Sequence, residues 1–166
     1  GSTDLSECTM SLSAQRNIPS TTQLLICGEV MQEIEFDLSD SPNFQSVPMP
    51  DLILKNHQGE IKDTVKRLEG FLLTELLKLL VYPIEKPREL NEFYFTVVAS
   101  NAYKVVFSYN EIFNTETGDS LYFVTRINGQ PIKASGQGLL IVSAKDKRIG
   151  ARYIKGVNKI VVSRVR

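Results

Sequence analysis

From Glu92 to the C-terminus, five short segments carry β-branched and aromatic residues in runs of strand length: Phe93 to Ala99, Tyr103 to Phe107, Leu121 to Ile127, Leu139 to Val142 and Lys159 to Val165. Residues of this kind pack well on a pleated surface, so the second half of the chain reads as sheet. One helical pattern stands against it. Leu72, Leu73, Leu76, Leu77 and Leu80 recur at the spacing of a helix face, and Pro83 ends the run because its ring cannot continue a helix. The expected class is α+β, mixed and mostly β.

The first half adds shorter signals. Leu24 to Val30 is an apolar run in which Gly28 marks a bulge or bend, Ile34, Phe36 and Leu38 alternate with acids, and Leu52 to Leu54 precedes the loop Asn56-His57-Gln58-Gly59. Ser108 and Glu111 are three apart, the spacing at which hydroxyl and carboxylate each satisfy a backbone N–H of a first helical turn, so a short helix is expected there. Asn128-Gly129 is a two-residue hairpin signal, since both residues tolerate positive φ.

With 166 residues and 42% apolar content, the chain is long enough for one globular domain, expected over 23–166. Nine of the first 22 residues are Ser or Thr, so 1–22 reads as a flexible tether. No initiating Met, basic n-region or apolar h-region opens the chain. A tether behind a removed leader fits a periplasmic or extracellular protein, with or without a lipid anchor. Cys8 and Cys27 either pair, tying the tether to the first strand, or remain two thiols with Cys27 in a core. The most apolar stretch, Phe71 to Tyr82, is interrupted by Thr74, Glu75 and Lys78 and falls short of the roughly 20 residues that span a bilayer, so no transmembrane segment is expected.

Nineteen basic and nineteen acidic side chains cancel, which argues against a general nucleic-acid binder. Their distribution is uneven. Residues 1–96 hold 8 basic and 15 acidic side chains and residues 97–166 hold 11 and 4, a balance of −7 against +7. After Ser143, eight Lys and Arg face the single acid Asp146. This segment is either an anion-binding surface or a basic edge that pairs with the acidic half of the same domain.

Chemistry is narrowly bounded. His57 is the only histidine and no Cys-x-x-Cys occurs, so no zinc or iron–sulfur pattern is present, and no Gly-x-Ser-x-Gly elbow supports a hydrolase. Gly136 and Gly138 stand directly before an apolar strand, and Arg148, Arg152 and Lys155 follow it. Glycines allow close backbone approach to a ligand, and the cations suit a phosphate or polar heterocycle. The candidate ligand-contacting residues are therefore His57, Gly136, Gly138, Arg148, Arg152 and Lys155, with no metal ligand among them.

In order, the segments Leu24 to Val30, Glu69 to Leu77, Ser100-Asn101-Ala102-Tyr103, Ser108 to Ile112, Asn128-Gly129-Gln130-Pro131-Ile132, Gly136 to Val142 and Gly150 to Ile160 resemble the motifs of the oxidoreductase molybdopterin-binding domain, the middle domain of the sulfite oxidase family. The resemblance implies that family's mixed, mostly β fold and a molybdopterin or related pterin as ligand. It also exposes departures. Catalytic members carry a molybdenum-bonding cysteine after their third strand, and the matching Lys55-Asn56-His57-Gln58-Gly59 has none. Gln137 and Leu139 replace a Pro and an Arg, and Gly156 stands where larger catalytic members have Trp. Three readings follow: a pterin-binding protein without the metal-ligating cysteine, a molybdenum oxidoreductase with a non-thiolate ligand, and a secreted or surface-tethered module that kept the fold, lost the cofactor and binds a protein partner.

Overall fold

In the computed structural model, residues 23–37, 44–56, 58–136, 138–146 and 152–166 are described. The expected tether 1–22, His57, Gln137 and Arg148 lie outside them.

Twelve strands form among these residues: β1 (Gln23–Gly28), β2 (Ile34–Asp37), β3 (Val47–Pro48), β4 (Leu52–Lys55), β5 (Ile61–Val65), β6 (Leu68–Leu72), β7 (Phe93–Ala99), β8 (Lys104–Ser108), β9 (Leu121–Ile127), β10 (Gln130–Pro131), β11 (Leu139–Ser143) and β12 (Tyr153–Arg164). Two short α-helices, α1 (Leu73–Leu77) and α2 (Tyr109–Phe113), and three 3-10 segments complete the described elements. The fold is mixed and mostly β. Ten strands make one sheet, and β4 and β5 make a separate hairpin.

β12 is the axis of the sheet. Its first part pairs antiparallel with β11, while Lys159 to Val162 lie between β1, which runs parallel, and β7, which runs antiparallel. The rest of the sheet continues through β11, β9, β6 and β3 on one side and through β1 to β2, and β7 to β8, on the other. The main core lies on one face: Phe71, Phe93, Phe95, Phe107, Phe123, Ile141, Ile160 and Val162 pack there with Leu73, Leu76, Leu77 and Leu80. Gly28, at φ +105, lets β1 close on β12, because a Cβ there would run into the Val162 carbonyl.

The helix expected over Leu72 to Leu80 is shorter. Phe71 and Leu72 pair with Phe123 and Tyr122 of β9, so the ladder claims the residues that would start the helix. α1 begins at Leu73 and ends by Lys78, whose N–H donates to the Thr74 carbonyl. Leu73, Leu76, Leu77 and Leu80 are nonetheless buried as the spacing implies. The last strand begins at Tyr153, six residues before the expected Lys159, through its pairing with β11.

Two local expectations match the geometry. Ser108 Oγ accepts from the Glu111 N–H and the Glu111 carboxylate accepts from the Ser108 N–H, opening α2 with a capping box. Asn128 and Gly129 have φ of +54° and +79° in the turn that joins β9 to β10. A side chain on Gly129 would meet no neighbouring atom, so only its backbone conformation resists substitution. Gly129→Val is expected to cost about 1–2 kcal/mol, the penalty of a left-handed conformation for a branched residue; an unchanged denaturant midpoint would contradict it.

Candidate functional site

The β4–β5 hairpin lies over the face of the sheet opposite the main core. Leu52, Leu54 and Val65 pack with Met49, Leu68, Val124, Ile132, Leu140, Val142 and Tyr153 in a second cluster. At the rim of this contact, a cleft of about 430 Å³ opens between the hairpin, the β9–β10 turn and the start of β12. Leu54, Asp63, Lys66, Ile127, Asn128, Tyr153 and Lys155 are among its lining residues.

Tyr153 and Lys155 are two apart on β12 and therefore share a face, with the Lys155 ammonium 5.8 Å from the Tyr153 ring centroid. Burial first, and then the charge of Asp63, raise the Tyr153 phenol above its ordinary range, so the hydroxyl stays protonated at neutral pH. Lys66 and Lys155 are both exposed. The cleft thus presents two ammonium groups, one aromatic ring, one amide and one carboxylate. Its backbone is unusual as well: Arg67, at φ +59°, offers its carbonyl to the N–H of Asn128, at φ +54°. Left-handed non-glycine residues are uncommon and concentrate at binding sites.

Of the residues expected to touch a ligand, the structure brings Lys155 to this cleft and directs Arg152 elsewhere. The Arg152 guanidinium donates to both Asp146 oxygens at 2.6 Å and to Glu111 Oε2 at 2.7 Å, and its carbon lies 5.0 Å from the Phe107 ring centroid. Ile154, two residues on, packs in the main core, whereas Tyr153 belongs to the second cluster. Arg152, which precedes β12, turns to Phe107 of the main core, while Lys155 shares a face of β12 with Tyr153, so one site is not built from both.

Gly136 caps a 3-10 segment at φ +74° and Gly138 has φ +71°, so both serve the chain path into β11. Gly156 has φ +70°, a conformation that resists a bulky side chain, and its carbonyl accepts from the Ser100 N–H.

The basic C-terminal segment also pairs with the acidic half. Arg164 binds Glu89 and Glu92 at 2.7 Å, and Arg166 binds Glu29 at 2.8 Å. The hydrogen bond from Arg164 holds the half-buried Glu89 carboxyl down at about 2. Lys66 and Asp63 carried no signal in the sequence, because β5 has no apolar run and is a strand only through its pairing with β4.

The pterin implied by the sequence resemblance fits the cleft in size and charge, since binding cavities commonly measure 300–1,000 Å³. Cys27 is in a disulfide and therefore offers no thiolate, and no group of three His, Cys, Asp or Glu is placed to hold a metal among the described residues. No helix among them is long and apolar enough to cross a membrane.

No family model matches the chain, and no curated protein sequence matches it. Among solved structures, it is similar to the crystal structure of the sulfane dehydrogenase SoxCD from Paracoccus pantotrophus, with a TM-score of 0.57 and 13% identity. The match covers 84% of this chain and 37% of that one. At this identity the likeness is one of fold: the mostly β architecture seen here recurs within a larger dehydrogenase chain.

Proposed function

We propose that the protein binds a pterin-like anionic heterocycle on a sulfite oxidase-type domain that lacks the molybdenum-ligating cysteine. The observation that carries this reading is the cleft, which Lys66, Tyr153 and Lys155 line together. The ammonium groups suit a phosphate, and the Tyr153 ring and hydroxyl suit a flat ring with polar edges. The motif order and the fold-level likeness to a sulfane dehydrogenase support the same reading. When bound, a pterin would supply its own ring chemistry. The chain's residues orient it and neutralise its charge. The disulfide at Cys27 supports a periplasmic or extracellular location, where such bonds persist.

The inward engagement of Arg152 favours a second reading, a secreted or surface-tethered interaction module that kept the fold without the ligand. Calorimetry with a pterin phosphate separates the two. Wild-type protein is expected to bind, Lys155→Ala to bind at least about tenfold more weakly by losing a charge-assisted contact, and Lys66→Ala with Lys155→Ala to show no binding. Both variants should melt like the wild type, because exposed lysines add little stability. Inorganic phosphate serves as the control for charge alone. Absence of wild-type binding at millimolar pterin phosphate would sink the first reading.

A further inference from the structure

Asp63 is the one acid among the residues that line the cleft, and the hairpin determines where it points. Leu52 and Leu54 of β4 pair with Val65 and Asp63 of β5, and partners directly opposite each other share a face. Leu52, Leu54 and Val65 turn that face onto the second cluster. Asp63 is turned the same way, past the end of the apolar contact and into the cleft with Tyr153. The upward push of its charge on the Tyr153 phenol reflects the same proximity.

The charges of the cleft are not matched within the protein. Arg152, Arg164 and Arg166 are all in ion pairs, whereas no ion pair among the described residues engages Asp63, Lys66 or Lys155. Asp63 Oδ1 accepts the Thr64 N–H, which leaves Oδ2 and a second lone pair on Oδ1 open. For a plain anion this carboxylate is a defect, because it repels the charge that the two ammonium groups attract. It suits a ligand that is anionic at one end and carries an edge of N–H donors at the other.

We propose that Asp63 is the specificity-determining residue of the cleft, its carboxylate accepting the paired N–H donors of a 2-amino-4-oxopyrimidine edge while Lys66 and Lys155 hold the phosphate. This rests on the pterin reading above and narrows it. The ring N3–H and the 2-amino group point side by side at two acceptors, the same fork-to-carboxylate match that arginine makes. The protonated Tyr153 hydroxyl and the Asn128 amide supply donors for the 4-oxo group. A 2,4-dioxo ring of the same shape puts an oxygen where the amino group was, and that oxygen faces the carboxylate. Guanine carries the same donor edge as a pterin, so the test separates the two sources.

Calorimetry on wild type and Asp63→Asn uses four probes: 6-hydroxymethylpterin phosphate, the 2,4-dioxo (lumazine) phosphate of the same shape, guanosine monophosphate and inorganic phosphate. The substitution keeps an oxygen for the Thr64 N–H, so the variant should melt like the wild type. Wild-type protein is expected to prefer the pterin phosphate over the lumazine phosphate at least about tenfold, since a site built for a donor rejects the analogue that lacks it. Asp63→Asn should bind the pterin phosphate at least about tenfold more weakly and lose the preference, while inorganic phosphate binds it as well as the wild type or better. Tighter binding of every probe to the variant would mean that Asp63 acts by charge alone, and overturns the proposal. Equal wild-type affinity for the pterin and lumazine phosphates overturns it and leaves the pterin reading intact; no wild-type binding of the pterin phosphate removes both. Tighter binding of guanosine monophosphate than of the pterin phosphate overturns the pterin as the source of the edge.

Discussion

Leu76→Ala is expected to lower the unfolding free energy by about 2–5 kcal/mol, measured in urea melts, the range for removing a buried leucine and leaving a cavity. Leu76 is fully buried where α1 meets the main core, among Leu73, Leu77 and the phenylalanines of the sheet. α1 is a single short helix with no side-chain cap at its N-terminus, so tertiary packing rather than local propensity holds it. Leu79→Ala is the control. Its side chain is 51% exposed, and the substitution should stay within about 0.5 kcal/mol. A loss below that value for Leu76 itself would show that this face of the helix is not core.

Arg152→Ala is expected to cost about 1–3 kcal/mol, more than a surface charge should, because it leaves Asp146 without its two guanidinium hydrogen bonds. Both side chains are mostly covered, at 21% and 16% exposure. The pH dependence makes the prediction sharper. Burial raises the Asp146 carboxyl, but hydrogen bonds from Arg152 and Ser143 and the charge of Arg152 outweigh it, and the group ends below its ordinary value. The unfolded chain therefore takes up the proton first. The stability contributed by this carboxylate is present above the unfolded value, about 4, and is lost as pH falls through the lower folded one. Melting temperatures followed from pH 7 to pH 2 should show this acid limb in the wild type and a weaker one in Arg152→Ala. Equal melting temperatures at pH 7 would refute the structural role of the guanidinium.

The strands from Phe93 onward were legible because their β-branched and aromatic runs are long and bounded by turn residues, and the Asn128-Gly129 turn and the α2 capping box were legible because each depends on residues adjacent in sequence. β5 was not. Ile61-Lys62-Asp63-Thr64-Val65 has no apolar face of its own and becomes a strand by pairing with β4, which brings Lys66 and Asp63 to the cleft. The same holds for β6, where the leucines of Leu72 to Leu80 gave a helical period that the β9 ladder interrupts at Leu72.

The basic segment after Ser143 shows the limit from the other side. Sequence counted its charges, yet only the fold decided which remain available: Arg152, Arg164 and Arg166 meet acids brought from far along the chain, while Lys155 stays open to the cleft. By itself the sequence determined the strand-rich class, the turns and the apolar inventory, since these follow from propensity and period over a few residues. The tertiary structure alone decided that β1, β7 and β12 are buried on both faces, because strand alternation turns neighbours to opposite sides, and that Arg152 and Lys155 part company, because Asp146, Glu111 and Phe107 hold Arg152 just ahead of β12.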